Sequence, residues 1–182
     1  MDARTPPEGD LHQRIAELEE ALERAEREAI TDALTGCVNR RGWDRLLATE
    51  EDRCARHGLD AVVMVIDLDK FKAVNDTSGH AAGDELLRRC SRLLHATVRS
   101  HDAVARTGGD EFALLAVQTS GDEAPATLIA RMRTGLARAG LDATVAAVTR
   151  ARAGTLAAAW RGADQEMLAA KRAARFGRGA AG

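Results

Sequence analysis

The sequence contains no tyrosine, and aromatic residues occupy only 3% of its 182 positions. A packed core must therefore be assembled from Leu, Val, Ile and Ala. The hydrophobic fraction of 45%, set against 30% charged residues, makes such a core feasible in one domain of ordinary size. No apolar run approaches the roughly 20 residues of a membrane span, and the opening MDARTPPEGD has no apolar signal core. The three cysteines, Cys37, Cys54 and Cys90, are odd in number and follow no disulfide or metal spacing. Together these absences lead to the expectation of a protein of the reduced cytoplasm, away from membranes. Excess positive charge is also missing. The net charge of −2 speaks against a nucleic-acid binder. Lysine is scarce: Lys70, Lys72 and Lys171 are the only three among 26 basic residues.

What is present begins after a polar leader, residues 1–9, expected to be disordered. Leu11, Ile15, Leu18, Leu22, Ala25 and Ala29 follow the 4-3-4-3-4 spacing of a heptad seam flanked by Glu and Arg. Residues 10–30 therefore predict a dimerising coiled-coil helix, with packing of that helix on its own domain as the other possibility. Residues 31–178 alternate between helical and strand patterns. Helices are expected over about 40–57, 81–98, 126–139 and 163–175. Strands are expected over 61–66, 103–107, 112–117 and 143–149, with residues 179–182 a flexible tail. Ala61–Ile66 is wholly apolar, the mark of a strand buried on both faces. The order predicts an α+β fold: a ferredoxin-like, palm-type antiparallel sheet backed by helices.

The chemistry gathers at strand ends. Asp67 and Asp69 close the most apolar strand, and Asp110 and Glu111 lie at the tip of a hairpin containing Gly108 and Gly109. In a split β-α-β layout these carboxylates meet at one edge of the sheet. Carboxylates without nearby His or Cys suit a hard ion such as Mg²⁺, which clamps phosphates and activates a hydroxyl. The two glycines let the hairpin turn sharply and let a base or ribose approach the backbone.

The string Thr107-Gly108-Gly109-Asp110-Glu111-Phe112 resembles the signature of the GGDEF family of diguanylate cyclases. Other segments match in order: Asp32-Ala33-Leu34-Thr35 with Asn39-Arg40-Arg41, Asp67-Leu68-Asp69-Lys70-Phe71-Lys72 with Asn75-Asp76, and Gly79-His80 with Gly83-Asp84. The resemblance implies condensation of two GTP into cyclic di-GMP and two pyrophosphates, between two domains that face each other as a homodimer. It implies that Asp67, Asp110 and the Leu68 carbonyl hold Mg²⁺ or Mn²⁺, two ions per site. Asp110 or Glu111 would assist loss of the 3′ proton, and Arg106 would lie near the reacting phosphate. Asn75 and Asp84 would read guanine, although an acid early in a helix is favoured in any case. Phe71, Lys72, Lys171 and Arg175 would line the phosphates, with Arg178 a rival to Arg175.

Arg99-Ser100-His101-Asp102 stands at the offset of the family's R-x-x-D product-inhibition site. Departures collect in the last third: the usual Ser-Ile-Gly is absent around Val145–Val148, and Leu168 stands where Tyr is common. The sequence thus leads to a diguanylate cyclase dimerised through residues 10–30, with the heptad helix open to a signalling partner. The alternative is a module that binds cyclic di-GMP or GTP without turnover and signals to a partner protein.

Overall fold

The computed structural model describes residues 8–118 and 125–179, with side chains described over 11–117 and 126–174. The expected leader and tail fall outside them, apart from Glu8, Gly9 and Gly179. The elements run α1 (Glu8–Ile30), α2 (Arg40–His57), β1 (Asp60–Leu68), α3 (Phe71–Ser78), α4 (His80–Thr97), β2 (Ala103–Arg106), β3 (Glu111–Gln118), α5 (Pro125–Arg138), β4 (Ala143–Thr149), α6 (Arg150–Ala153) and α7 (Leu156–Gly179). The four strands form one sheet in the order β2-β3-β1-β4, with every neighbouring pair antiparallel. This is the split β-α-β arrangement expected from the sequence.

β1 is central, and every residue from Ala61 to Leu68 is buried. Strand periodicity divides them between two cores. Val62, Met64, Ile66 and Leu68 face α4 and α5 through Leu87, Leu94, Met132 and Leu136. Ala61, Val63 and Val65 face α2 and α7 through Trp43, Leu47, Leu156, Ala159 and Met167. The scarce aromatics are concentrated here, with the rings of Trp43 and Trp160 5.3 Å apart. All three cysteines are free and buried in these cores.

Three elements differ from the sequence expectation, the first being α6, a single turn capped by Thr149 that no expected helix covers. α7 starts at Leu156, not near 163, because Leu156, Ala159, Ala163 and Met167 form one buried seam at helical spacing. α3 was not expected; its polar surface and Gly79 boundary conceal eight helical residues. Lys70 starts α3 in the left-handed region (φ 61°), the only such non-glycine among the described residues.

α1 projects its seam into solvent: Leu11, Ile15, Leu18 and Leu22 are 45–64% exposed. The helix does not cover its own domain with this stripe. Asn39 fixes its base by donating to the Ala29 and Thr31 carbonyls at 3.0 and 3.2 Å. Among the described residues, no helix is long and apolar enough to cross a membrane.

Candidate active site

Asp67 lies one residue before the end of β1, on the face turned towards α7. Its register partner is Glu111 at the start of β3, so the two side chains share that face. The Leu68 N–H donates to the Asp110 carbonyl at 3.1 Å, fixing the hairpin end beside β1. The predicted meeting of the two acidic sites is therefore present, created by strand register.

A cavity of about 370 Å³ opens at this edge, lined by Asp67, Leu68, Asp110, Phe71, Lys72 and Lys171 among others. Lys171 reaches in from α7, and its ammonium is ion-paired with Asp67 Oδ1. The Asp67 side chain is 7% exposed and that of Lys171 27%. Burial pushes the Asp67 carboxyl above its ordinary range; Lys171 opposes this, while Asp110 and Asp69 add to it. Glu111 is also pushed up, first by burial and then by Asp67, Asp110 and Asp164. Asp164 was missed by sequence reasoning. It stands two helical turns before Lys171 on the same side of α7, the one signal that could have exposed it.

Among the described residues, no three His, Cys, Asp or Glu side chains converge as a ready metal cage. Two carboxylates and a backbone carbonyl at a cavity fit Mg²⁺ instead, which keeps waters and takes its other ligands from substrate phosphates. Asp69 serves the framework: its Oδ1 accepts from the Thr144 hydroxyl at 3.0 Å, and its N–H donates to the Asp142 carbonyl at 2.9 Å.

The hairpin departs from a tight Gly-Gly turn. Arg106 pairs with Phe112, and the Thr107 N–H donates to the Glu111 carbonyl, so the loop spans both glycines and Asp110. Neither Gly108 nor Gly109 has a positive φ. Gly108 lies against Glu111: a Cβ there would stand 2.6 Å from Glu111 Oε2 and would displace that carboxylate. Gly109 faces open space. Arg106 braces the turn, donating from Nη2 and Nε to the Gly109 carbonyl at 2.7 and 3.2 Å and from Nη1 to Asp32 at 3.2 Å. The structure thus gives Arg106 a positioning role, tying the hairpin to the loop after α1. Although burial works upward on Asp32, hydrogen bonds from Thr35 and Arg106 hold its carboxyl below the usual range.

Asn75 and Asp84 lie outside the cavity lining, on α3 and α4. Asn75 Oδ1 is buried without a hydrogen-bond partner. It presses against Gly83, where a Cβ would stand 1.9 Å away. Asp84 lies beyond the first turn of α4, whose cap Gly79 supplies no side-chain bond. Its capping reading therefore falls. Phe71 and Lys72, at the start of α3, line the cavity, and the Phe71 ring also lies against Gly83.

Arg99 and Asp102 close a turn. The Arg99 N–H donates to Asp102 Oδ2 at 2.9 Å, and the Asp102 N–H donates to the Arg99 carbonyl at 3.1 Å. The Asp102 side chain is only 3% exposed, and its Oδ1 accepts no hydrogen bond. Arg99 lines a separate groove of about 750 Å³ with Arg131 and Arg138. The side chains of Arg175 and Arg178 lie outside the described residues.

Residues 29–176 match the family model described as diguanylate cyclase, GGDEF domain. The chain is 40% identical over 125 residues to the probable diguanylate cyclase DgcC of Escherichia coli (strain K12), covering 69% of this chain and 33% of that protein. It is 38% identical over 163 residues to the diguanylate cyclase DgcP of Pseudomonas aeruginosa, covering 85% and 24% respectively. It thus spans a third or less of these curated relatives. Among solved structures, the coiled coil and GGDEF domain of DgcB from Caulobacter crescentus, in complex with c-di-GMP, shares the fold with a TM-score of 0.80 at 24% identity, over 91% of this chain and 92% of that one. The diguanylate cyclase SiaD from Pseudomonas aeruginosa, in complex with its activator SiaC, aligns with a TM-score of 0.71 at 33% identity, over 91% and 67%.

Proposed function

Because the chain belongs to the diguanylate cyclase GGDEF domain family, we propose that it condenses two GTP into cyclic di-GMP and two pyrophosphates. The observation that carries this reading is the convergence of Asp67, Asp110, Lys72 and Lys171 on one cavity. Two buried or half-buried carboxylates and two lysines lining one cavity suit a triphosphate with its metal. Asp67, Asp110 and the Leu68 carbonyl would hold Mg²⁺ or Mn²⁺, two ions per site. Bound there, the metal supplies charge neutralisation at the α-phosphate and acidifies the attacking hydroxyl.

Lys72 and Lys171 orient the β- and γ-phosphates, and Phe71 forms the wall between phosphates and base. On α3 and α4, Asn75 and Asp84 accept from the guanine N–H groups. Adenine would leave those acceptors unpaired, which selects against it. The O3′ of one GTP attacks the α-phosphorus of the other; the O3′–P bond forms, the bond to the β-phosphate oxygen breaks, and pyrophosphate leaves. Glu111 or Asp110 takes the 3′ proton. The same exchange in the opposite direction closes the ring.

Each domain carries one nucleotide, so two must face each other. The exposed seam of α1 provides the homodimer contact, and a linked pair raises the effective concentration towards millimolar. The same helix is the surface on which a signalling partner protein would act. Product bound at Arg99 and Asp102 would hold the two active edges apart. The test is incubation with GTP and Mg²⁺, nucleotide chromatography, and a dilution series of wild type and the double variant Leu18→Glu/Leu22→Glu. Cyclic di-GMP should form, and the variant should lose activity steeply at nanomolar protein while recovering at high concentration. Tight binding of cyclic di-GMP without turnover would assign the binding-module reading instead.

A further inference from the structure

Lys171 reaches the carboxylate edge from α7 and is ion-paired with Asp67 Oδ1, the oxygen of a residue proposed above as a metal ligand. We infer that Lys171 and the divalent ion are rival counter-ions for Asp67, so that metal binds weakly until a triphosphate draws the ammonium away. The inference rests on the cyclase reading of the site and adds an order to it.

The charges facing this point come from three elements. Asp67 and Asp69 stand at the end of β1, Asp110 and Glu111 at the hairpin, and Asp164 with Lys171 on α7. Among the described residues, Lys171 is the only cation ion-paired with this acidic group. The lysines of the opposite wall, Lys70 and Lys72, are exposed and form no such pair. A second positive charge placed on Asp67 would meet the ammonium at contact distance, where little solvent screens the repulsion.

The geometry also gives the ammonium somewhere to go. Lys171, Lys72 and Asp67 line the same cavity of about 370 Å³. Lysine carries its charge on a flexible four-carbon stem. The head can therefore pass from Asp67 to a phosphate in that cavity while α7 stays in place. A triphosphate then does two things: it removes the competing cation and contributes its own oxygens to the metal. Metal and nucleotide become thermodynamically coupled through one side chain. This differs from a lysine that only contacts phosphate, which would leave metal affinity unchanged when no nucleotide is present.

The test titrates Mn²⁺ into the nucleotide-free full chain and follows free Mn²⁺ by electron paramagnetic resonance. Wild type, Lys171→Met, Lys171→Arg and Asp67→Asn are compared. Lys171→Met should bind Mn²⁺ about tenfold tighter than wild type, a difference of about 1.4 kcal/mol. Lys171→Arg, which keeps the charge, should stay close to wild type. Lys171→Gln replaces the Met variant should that one fail to fold. Equal or weaker Mn²⁺ binding without the ammonium overturns the competition. Asp67→Asn separates the two levels: if it loses Mn²⁺ binding, the metal assignment stands even when the competition falls. If no form of the protein binds Mn²⁺ and wild type does not bind it with GTP either, both fall together.

Discussion

Asp60 and Asp67 sit at opposite ends of the same strand, and the structure treats them in opposite ways. Asp60 Oδ1 accepts the N–H groups of Ala61 and Ala151, both at 2.8 Å. Its neighbour at that end, Glu51, receives the Arg150 guanidinium on Oε1 at 2.6 and 3.0 Å and the Leu156 N–H on Oε2 at 2.6 Å. There the fold uses the carboxylate lone pairs, and the Arg150 hydrogen bond holds Glu51 below the ordinary carboxyl range. At the other end, Asp67 and Glu111 are pushed up and share one lysine. One end stores stability in satisfied charge. The other holds acceptor capacity in reserve, as a site awaiting a cation and phosphates would.

The largest effect should come from the unsatisfied end. Asp67→Asn keeps the shape but removes the charge. Initial rates of cyclic di-GMP formation should fall at least about a hundredfold, because a metal ligand supplies several kcal/mol of charge stabilisation. The melting temperature should change little. Wild-type rates in this variant would erase the distinction between the two ends.

Asp102 is an intermediate case, with Oδ2 used by the Arg99 N–H and Oδ1 3.8 Å from His101 Nε2 but without a hydrogen bond. Arg99→Ala should weaken inhibition by added cyclic di-GMP by about ten- to a hundredfold, the loss of one bidentate contact. Its initial rate without product should be retained. Equal inhibition of variant and wild type would place Arg99 with the structural charges.

The contrast between the two ends was only half legible in the sequence. The Asp67 site could be found because a wholly apolar strand ending in acid is unusual, and because period 2 and hairpin adjacency fix what lies beside it. The GGDEF resemblance then supplied roles that spacing alone leaves open. The Glu51–Arg150 pair joins positions 99 residues apart, and no local pattern announces it in a chain this rich in Arg and Glu. The offset of Arg106 from the glycines is visible in the sequence, whereas its bond to Asp32 depends on the loop after α1 folding back beside β2. Gly108 reads in the sequence as a turn residue, yet in the fold it also leaves room for the Glu111 carboxylate.

Gly83 offers a third comparison, between a position that shapes the fold and one that shapes only the placement of a neighbouring side chain. A Cβ there would collide with Asn75 Oδ1, the movable end of a side chain, at 1.9 Å. Gly83→Ala should therefore fold, displacing Asn75 rather than α3. The expected reading is a KM for GTP raised about tenfold with a smaller change in kcat, since one base contact of about 1–3 kcal/mol is lost. An unchanged KM would separate Asn75 from base recognition.

The smallest effect belongs to the satisfied end and is read in stability. Glu51→Gln removes the charge that receives Arg150 and weakens the acceptor for the Leu156 N–H at the start of α7. The melting temperature at neutral pH should fall by about 2–4 °C, the shift expected for about 1 kcal/mol in a protein of this size, with kcat retained. The direction with pH follows from the lowered pKa of Glu51. A carboxyl whose folded pKa is depressed contributes its stability above the unfolded value and loses it as pH falls through the folded one. The gap in melting temperature between wild type and Glu51→Gln should thus be full at neutral pH and close in acid, below the ordinary carboxylate range. A gap that persists unchanged into acid would show that Glu51 acts through packing and not through its charge.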